Sequence, residues 1–166
     1  MRQLAPLAER KGLVFAEHVD ADAPRALQGD RTRVQQILLN LVGNAIKFSD
    51  EGAVIVHIRP GATPGALVFA IEDHGIGIEP ARQREVFEAF VQVRDSGRHH
   101  GGTGLGLAVC KRLVEAMGGD IHIRSAPGAG TTVSFELVVE AAQPPAALAL
   151  DAPGETLTDC HRVLLV

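Results

Sequence analysis

Asn40, Asn44 and Lys47 follow one another at spacings of four and three residues. On a helix, at about 100° per residue, that spacing lines two amides and an ammonium along one stripe. Polar residues on a helix ordinarily form a solvated face. Asparagine, however, is a mediocre helix former more often placed at caps, and two in register beside an apolar stripe point to a ligand or a metal. A second group, Asp73-His74-Gly75-Ile76-Gly77-Ile78, closes a strand-like run. Asp73 continues the inward alternation of Leu67, Phe69 and Ile71, so its carboxylate points between sheet and helices and needs a donor. The plainer alternative is a strand-ending turn in which Asp73 caps its own backbone. Two glycines there let the chain pass close to a flat ligand. In a third group, Gly101-Gly102-Thr103-Gly104-Leu105-Gly106-Leu107, a glycine loop feeds a helix, whose unpaired N–H groups and dipole suit an anion such as phosphate. Neither Gly-x-x-x-x-Gly-Lys-Ser/Thr nor Gly-x-Gly-x-x-Gly after a strand is present, which excludes the two commonest nucleotide loops.

The elements that must position these groups are legible in the pattern. Residues 13–19 form a short run of strand formers, followed by a loop to Gly29. Asp30 is a good N-cap for a long helix in which Val34, Ile37, Leu38, Leu41, Ala45 and Phe48 recur at helical spacing. Strands at 53–59 and 66–73 flank a turn containing Pro60, Gly61, Pro64 and Gly65. A short helix is predicted over 81–90 and a mobile loop over 92–103, where no periodicity appears. Leu105, Val109, Leu113, Ala116 and Met117 mark a second long helix, ended by Gly118 and Gly119. A hairpin over 120–126 and 131–139 closes the pattern, with Thr131, Val133, Phe135, Leu137 and Val139 on its inward face. Hairpins with helices between them predict an α+β fold: a two-layer α/β sandwich, its mixed sheet carrying helices on one face.

The 166 residues hold one sizeable core, carry a net charge of -4 and include no Trp or Tyr. Without aromatic platforms or a basic excess, nucleic-acid binding is disfavoured. Two cysteines, Cys110 and Cys160, lie far apart and encode neither a disulfide framework nor a zinc site. A cytoplasmic setting follows, with no membrane contact by these residues, since no apolar run reaches membrane-span length. Anchoring of a longer protein to a membrane stays open. From Ala141 the composition turns to Ala, Pro and acidic residues, which reads as a linker.

The chain resembles the ATP-binding catalytic domain of sensor histidine kinases, within the superfamily shared with gyrase, mismatch-repair and heat-shock-chaperone ATPases. The resemblance covers about 1–140. It rests on an asparagine box running from Asn40 through Asn44 and Lys47 to Phe48, the glycine box from Asp73 to Ile78, and a phenylalanine box Phe87-Glu88-Ala89-Phe90. A second glycine box runs from Gly102 to Leu107, and a third is Gly128-Ala129-Gly130-Thr131.

The resemblance implies that Asn44 ligates Mg2+, that Asn40 lies beside it near the phosphates, and that Lys47 reaches phosphate oxygens. Phe48 would pack near the adenine and Asp73 accept from its amino group. Gly75, Gly77 and Ile78 would give close backbone approach. Gly102, Thr103, Gly104, Leu105 and Gly106 would bind phosphates from a lid, with Arg98 as a lid cation, and Phe87 would be a further nucleotide-binding residue. Thr131 would support the adenine end. Members that hydrolyse ATP tend to carry a glutamate where this chain has Asn40; with no carboxylate there, the site is suited to holding ATP for another nucleophile. In the family, that nucleophile is a histidine on a separate dimerisation domain.

The acceptor motif, a His beside an acidic residue and before Arg-Thr-Pro, matches none of the seven histidines here. The resemblance therefore implies Mg-ATP binding and γ-phosphoryl donation to that domain, in a homodimer feeding a receiver domain or response regulator. A catalytically silent nucleotide-sensing module and an autonomous gyrase-type ATPase are the alternatives. Residues 141–160 would be the linker, and 161–166, with Arg162-Val163-Leu164-Leu165-Val166, resemble the first strand of a receiver domain, as in a hybrid kinase.

Overall fold

The computed structural model describes residues 4–24, 26–91, 103–138, 140–141 and 162–164. The loop expected at 92–103 lies outside these residues except for Thr103, and so do Arg98, Gly101, Gly102 and nearly all of the expected linker.

Helix α1 spans Ala5–Arg10, with Pro6 in its first turn and Ala8 fully buried. Strand β1, Val14–Val19, runs parallel to β3, Ala53–Pro60, and between them lie β2, Ala26–Gln28, and helix α2, Arg31–Phe48. The cap is as predicted: Asp30 Oδ1 accepts from the N–H of Arg33 at 3.1 Å. Strand β4, Ala66–Asp73, returns antiparallel to β3. After helix α3, Gly106–Ala116, come β5, Asp120–Ser125, and β6, Thr131–Val138. The sheet order is β1-β3-β4-β6-β5, mixed, with β4 at its centre.

One face of the sheet is apolar and covered. Val54, Val56 and Ile58 of β3, Leu67, Phe69 and Ile71 of β4, and Phe135 and Leu137 of β6 pack with Val34, Ile37, Leu41 and Val42 of α2 and with Cys110 and Val114 of α3. Phe69 and Phe135, paired in register, stack at 4.8 Å between ring centroids. The period-two burial along β3 and β4 is that of a sheet covered on one side. This is the expected two-layer α+β sandwich.

Three features depart from the pattern reading. Residues 81–90 form no helix: two 3-10 turns, Pro80–Arg82 and Glu85–Phe87, take their place. Val86 alone is buried among the residues of those turns, too little apolar face to hold a helix, and Phe90 adopts φ 67°, which breaks any continuation. Residues 26–28, expected in a loop, pair antiparallel with β7, Glu140–Ala141, and with β8, Arg162–Leu164. Helix α1 carries no predicted counterpart because its six residues are too few to show a period.

Candidate functional site

A cavity of about 310 Å³ opens between the C-terminal half of α2, the end of β4, the start of β6 and the N-terminus of α3. Helix α2 contributes Asn40, Asn44, Lys47 and Phe48 along one wall, with Leu41 and Ala45 beneath them. Ile71 and Asp73 come from β4, Thr131 and Val133 from β6, and Thr103, Gly104, Gly106 and Leu107 from the approach to α3. The alternation that buries Ile71 and Phe69 therefore carries the Asp73 carboxylate inward to the cavity.

Asp73 is 8% exposed. Its Oδ1 accepts from the N–H of Gly75 at 2.8 Å and from the N–H of Thr131, its cross-strand partner, at 3.2 Å. The bond to Gly75 is the self-capping turn, and it coexists with an inward carboxylate, so the two sequence readings are compatible. Desolvation raises the carboxyl pKa above its ordinary value; the N–H groups of Gly75 and Thr131 and the charge of His74 oppose that, and Glu72 adds to it. The His74 ring itself turns away: Nδ1 lies 3.1 Å from the Ala53 N and 3.2 Å from its O.

The loop beyond Asp73 is fastened to the β5–β6 turn. The N–H of Ile78 donates to Ser125 Oγ at 2.7 Å and that of Gly128 to the Ile76 carbonyl at 2.8 Å. Gln83 Nε2 donates to the carbonyls of Ile78 and Ser125 at 3.0 and 2.6 Å. Gly77 has φ +72°, and a Cβ there would run into the Ala126 carbonyl, so the close approach requires glycine.

At the opposite end, α3 begins without a side-chain cap, leaving its first-turn N–H groups without intrahelical partners. Gly106 lies close to Asn44: a Cβ on it would be 3.7 Å from Asn44 Nδ2. An amide and a helix N-terminus thus meet at one part of the cavity, and the Lys47 ammonium lines the same cavity, groups suited to phosphate oxygens. For a divalent cation, no group of three His, Cys, Asp or Glu side chains occurs among the described residues. The Asn44 amide oxygen fits Mg2+, which takes few protein ligands and completes its shell with substrate phosphates and water. Lys47 Nζ stands 4.8 Å from the Phe48 ring centroid, and burial lowers its pKa. Cys110 Sγ donates to the Ile37 carbonyl at 3.8 Å, tying α3 to α2; desolvation pushes that thiol up to about 11, with Asn40 opposing it.

Of the predicted residues, Asn40, Asn44, Lys47, Phe48, Asp73, Gly77, Ile78, Thr103, Gly104, Gly106 and Thr131 line this cavity. Gly75 adjoins it through Asp73, and Leu105 is the N-cap residue of α3. Phe87 packs against the core instead, while its neighbour Val86 faces the cavity. Arg98 and Gly102 lie outside the described residues. Sequence reasoning missed Val86, Val91, Ser125, Gln83 and Lys11. Lys11 Nζ donates to the carbonyls of Ile46, Lys47 and Ser49 at 2.9, 3.0 and 2.9 Å, which caps the end of α2. Its signal was hidden because a helix cap supplied from 35 residues away has no local spacing.

The comparisons with known proteins agree with this geometry. Residues 29–141 match the family described as histidine kinase-, DNA gyrase B-, and HSP90-like ATPase. The virulence sensor protein BvgS of Bordetella bronchiseptica is 43% identical over 170 residues, 96% of this chain and 14% of that protein. The hybrid signal transduction histidine kinase B of Dictyostelium discoideum is 40% identical over 132 residues, 76% of this chain and 7% of that protein. The chain therefore spans a small part of the length of these relatives. The crystal structure of full-length ShkA in complex with AMPPNP superposes with a TM-score of 0.76 at 35% identity, over 87% of this chain and 29% of that one. No helix among the described residues is long and apolar enough to cross a membrane. By its matched residues the chain belongs to the histidine kinase-, DNA gyrase B- and HSP90-like ATPase family, and its relatives there are signal-transduction histidine kinases.

Proposed function

We propose that residues 1–140 bind Mg-ATP and donate its γ-phosphoryl group to a histidine on a separate dimerisation domain. The observation that carries this is one cavity with two chemically distinct ends. A buried carboxylate beside Thr131 stands at one, Asn44 beside the N-terminus of α3 stands at the other, and Lys47 lines the same cavity. The first end accepts from a purine amino group; the second neutralises phosphate oxygens. A structural neighbour bound to AMPPNP, an ATP analogue, supports the reading. The cavity volume lies near the lower limit for small-molecule sites.

In this reading Asn44 holds Mg2+, Asn40 sits beside it, and Lys47 contacts phosphate oxygens. Phe48 supplies apolar surface near the base, and Arg98 and the glycines of 102–106 bind phosphate oxygens. Bound Mg2+ would offset the charge on those phosphates. The chain's part in transfer is positioning and charge neutralisation. No carboxylate occupies position 40, so water at the phosphate end lacks a general base from that turn and hydrolysis is slow. Residues 141–160 serve as linker and 161–166 as the start of a receiver domain, within a homodimeric hybrid kinase acting in the cytoplasm.

The test mixes this chain with a separately prepared dimerisation domain and γ-labelled ATP. Label on the acceptor histidine, lost with Asn44→Asp, is the expected result. No label with wild type, or undiminished label with the variant, overturns transfer. Calorimetry with AMPPNP and Mg2+ then separates a silent nucleotide-binding module from a chain that binds nothing. Rapid hydrolysis by the chain alone would restore the gyrase-type reading.

A further inference from the structure

Ser125 Oγ makes three short contacts. It accepts from the N–H of Ile78 at 2.7 Å, donates to the Gly130 carbonyl at 2.9 Å, and lies 2.8 Å from Thr131 Oγ1, where either hydroxyl could donate. A serine hydroxyl has one proton and two lone pairs. An amide N–H only donates and a carbonyl only accepts, so the serine proton belongs on Gly130. The third contact is then satisfied only by the Thr131 proton. The alternative, in which Ser125 donates to Thr131, leaves two oxygens 2.9 Å apart with no proton between them, a repulsive arrangement.

With its proton spent on Ser125, Thr131 offers the cavity lone pairs alone. Beside it stands the Asp73 carboxylate, an acceptor whose two described bonds both end on Oδ1. The corner therefore displays acceptors and no hydroxyl donor. From this we infer that Ser125 is a positioning residue: by fixing the Thr131 hydroxyl proton, it makes the site favour a 6-amino purine over a 6-oxo purine. The inference rests on the nucleotide reading above and deepens it. A 6-amino group brings two N–H donors to this corner, whereas a 6-oxo group brings a third acceptor and meets repulsion. If Thr131 were free to rotate, its proton could turn toward a 6-oxo oxygen and the discrimination would fade.

The measurement is calorimetric binding of ATP and of ITP, its 6-oxo counterpart, with Mg2+, to the full chain. In wild type, ATP should bind at least roughly tenfold more tightly than ITP, the worth of one hydrogen bond made against one refused. Ser125→Ala should lower the ATP:ITP ratio by roughly the same factor, mainly by improving ITP. Ser125→Thr, which keeps the hydroxyl, should restore the ratio. Thr131→Val removes the acceptor lone pairs together with the proton, so it should lower the ratio in part, Asp73 holding the remainder, and the double variant should match Thr131→Val, since Ser125 acts only through the Thr131 hydroxyl. A purely structural role for Ser125 weakens both nucleotides in parallel and leaves the ratio within about twofold, which would overturn the inference. Should Ser125→Ala fail to fold, an unchanged ratio in Thr131→Val overturns it equally. Wild type that binds neither nucleotide would instead overturn the nucleotide reading itself.

Discussion

The ammonium of Lys11 donates to the backbone carbonyl of Lys47 across 3.0 Å, so one lysine fixes the helix turn from which the other enters the cavity. The carbonyls of Ile46 and Ser49 take the same ammonium. Three acceptors at a helix C-terminus, where the dipole is negative, suit a compact cation with three donors. Replacing Lys11 by Met keeps most of the stem and removes the charge. It should cost about 1 kcal/mol of folding stability, readable in denaturant titration at unchanged m-value. Nucleotide affinity should fall a few-fold as well, because Lys47 and Phe48 lose their fixed backbone. A variant with wild-type stability would show that the cap is ornamental.

Asp73 trades stability for binding. Its folded pKa lies above the 3.8 of the free group, chiefly through desolvation, so the folded state holds the proton more tightly than the unfolded chain. The sign follows: this contribution is favourable below pH 3.8 and is lost as pH rises through the folded pKa. Asp73→Asn keeps an oxygen for the N–H groups of Gly75 and Thr131 and removes the desolvated charge. The variant should melt above wild type at pH 7, with the gap closing as pH falls toward 3.8. ATP affinity should drop by about 30-fold or more, the scale of a charged hydrogen bond. Equal melting at pH 7 would argue that the carboxylate is better solvated than its burial indicates.

Much of this site was written in local spacing, and the parts that were not share a physical cause. Helical period placed Asn40, Asn44 and Lys47, and strand alternation turned Asp73 and Thr131 inward, on strands whose pairing brings the two face to face. Both are periodic consequences of backbone geometry that any stretch of sequence displays. Lys11, Ser125 and Gln83 act through bonds to backbone atoms 35 or more residues away. Such bonds leave no period and no composition, because a carbonyl or N–H is the same at every residue. The error over 81–90 is of the same kind: the side chain of Gln83 is claimed by the distant Ser125 carbonyl and only Val86 buries, so tertiary demand outweighed local propensity.

Gly77 and Gly128 share nearly the same backbone, φ +72° and +74°, yet a Cβ on the first would strike the Ala126 carbonyl and one on the second would meet nothing within 4 Å. Alanine at 128 should therefore cost only the left-handed penalty, about 1 kcal/mol. Alanine at 77 must also push the loop off the β5–β6 turn. Its cost should exceed about 2 kcal/mol, and nucleotide binding should weaken with it. Similar melting temperatures for the two would mean that the loop yields freely and that its fastening does not shape the cavity.

Cys110 should be chemically silent while the fold is intact. It is fully buried, and burial holds its thiol near 11, so the reactive thiolate is about 0.1% populated at pH 8. Alkylation followed by peptide mass mapping should leave the Cys110 peptide unmodified in native buffer and fully modified in denaturant. The same probe reports on nucleotide, since ligand that stabilises the native state slows the opening needed to expose it. Rapid native labelling of Cys110 would show that α3 parts from α2 easily.

Ser49 ends α2 with its two oxygens in opposite circumstances. Its carbonyl accepts from Lys11, whereas its hydroxyl is fully buried and has no hydrogen-bond partner among the described residues. A buried unpaired hydroxyl carries a desolvation cost with no compensating bond. Ser49→Ala removes that group and leaves the backbone carbonyl in place, so it should stabilise the chain by about 1 kcal/mol without changing ATP affinity. Combined with Lys11→Met, its gain should persist undiminished, because the lysine acts on the carbonyl and the substitution on the side chain. A loss of stability in Ser49→Ala would instead mean that the hydroxyl is satisfied in solution, and a buried water bonded to it would then be the group to seek.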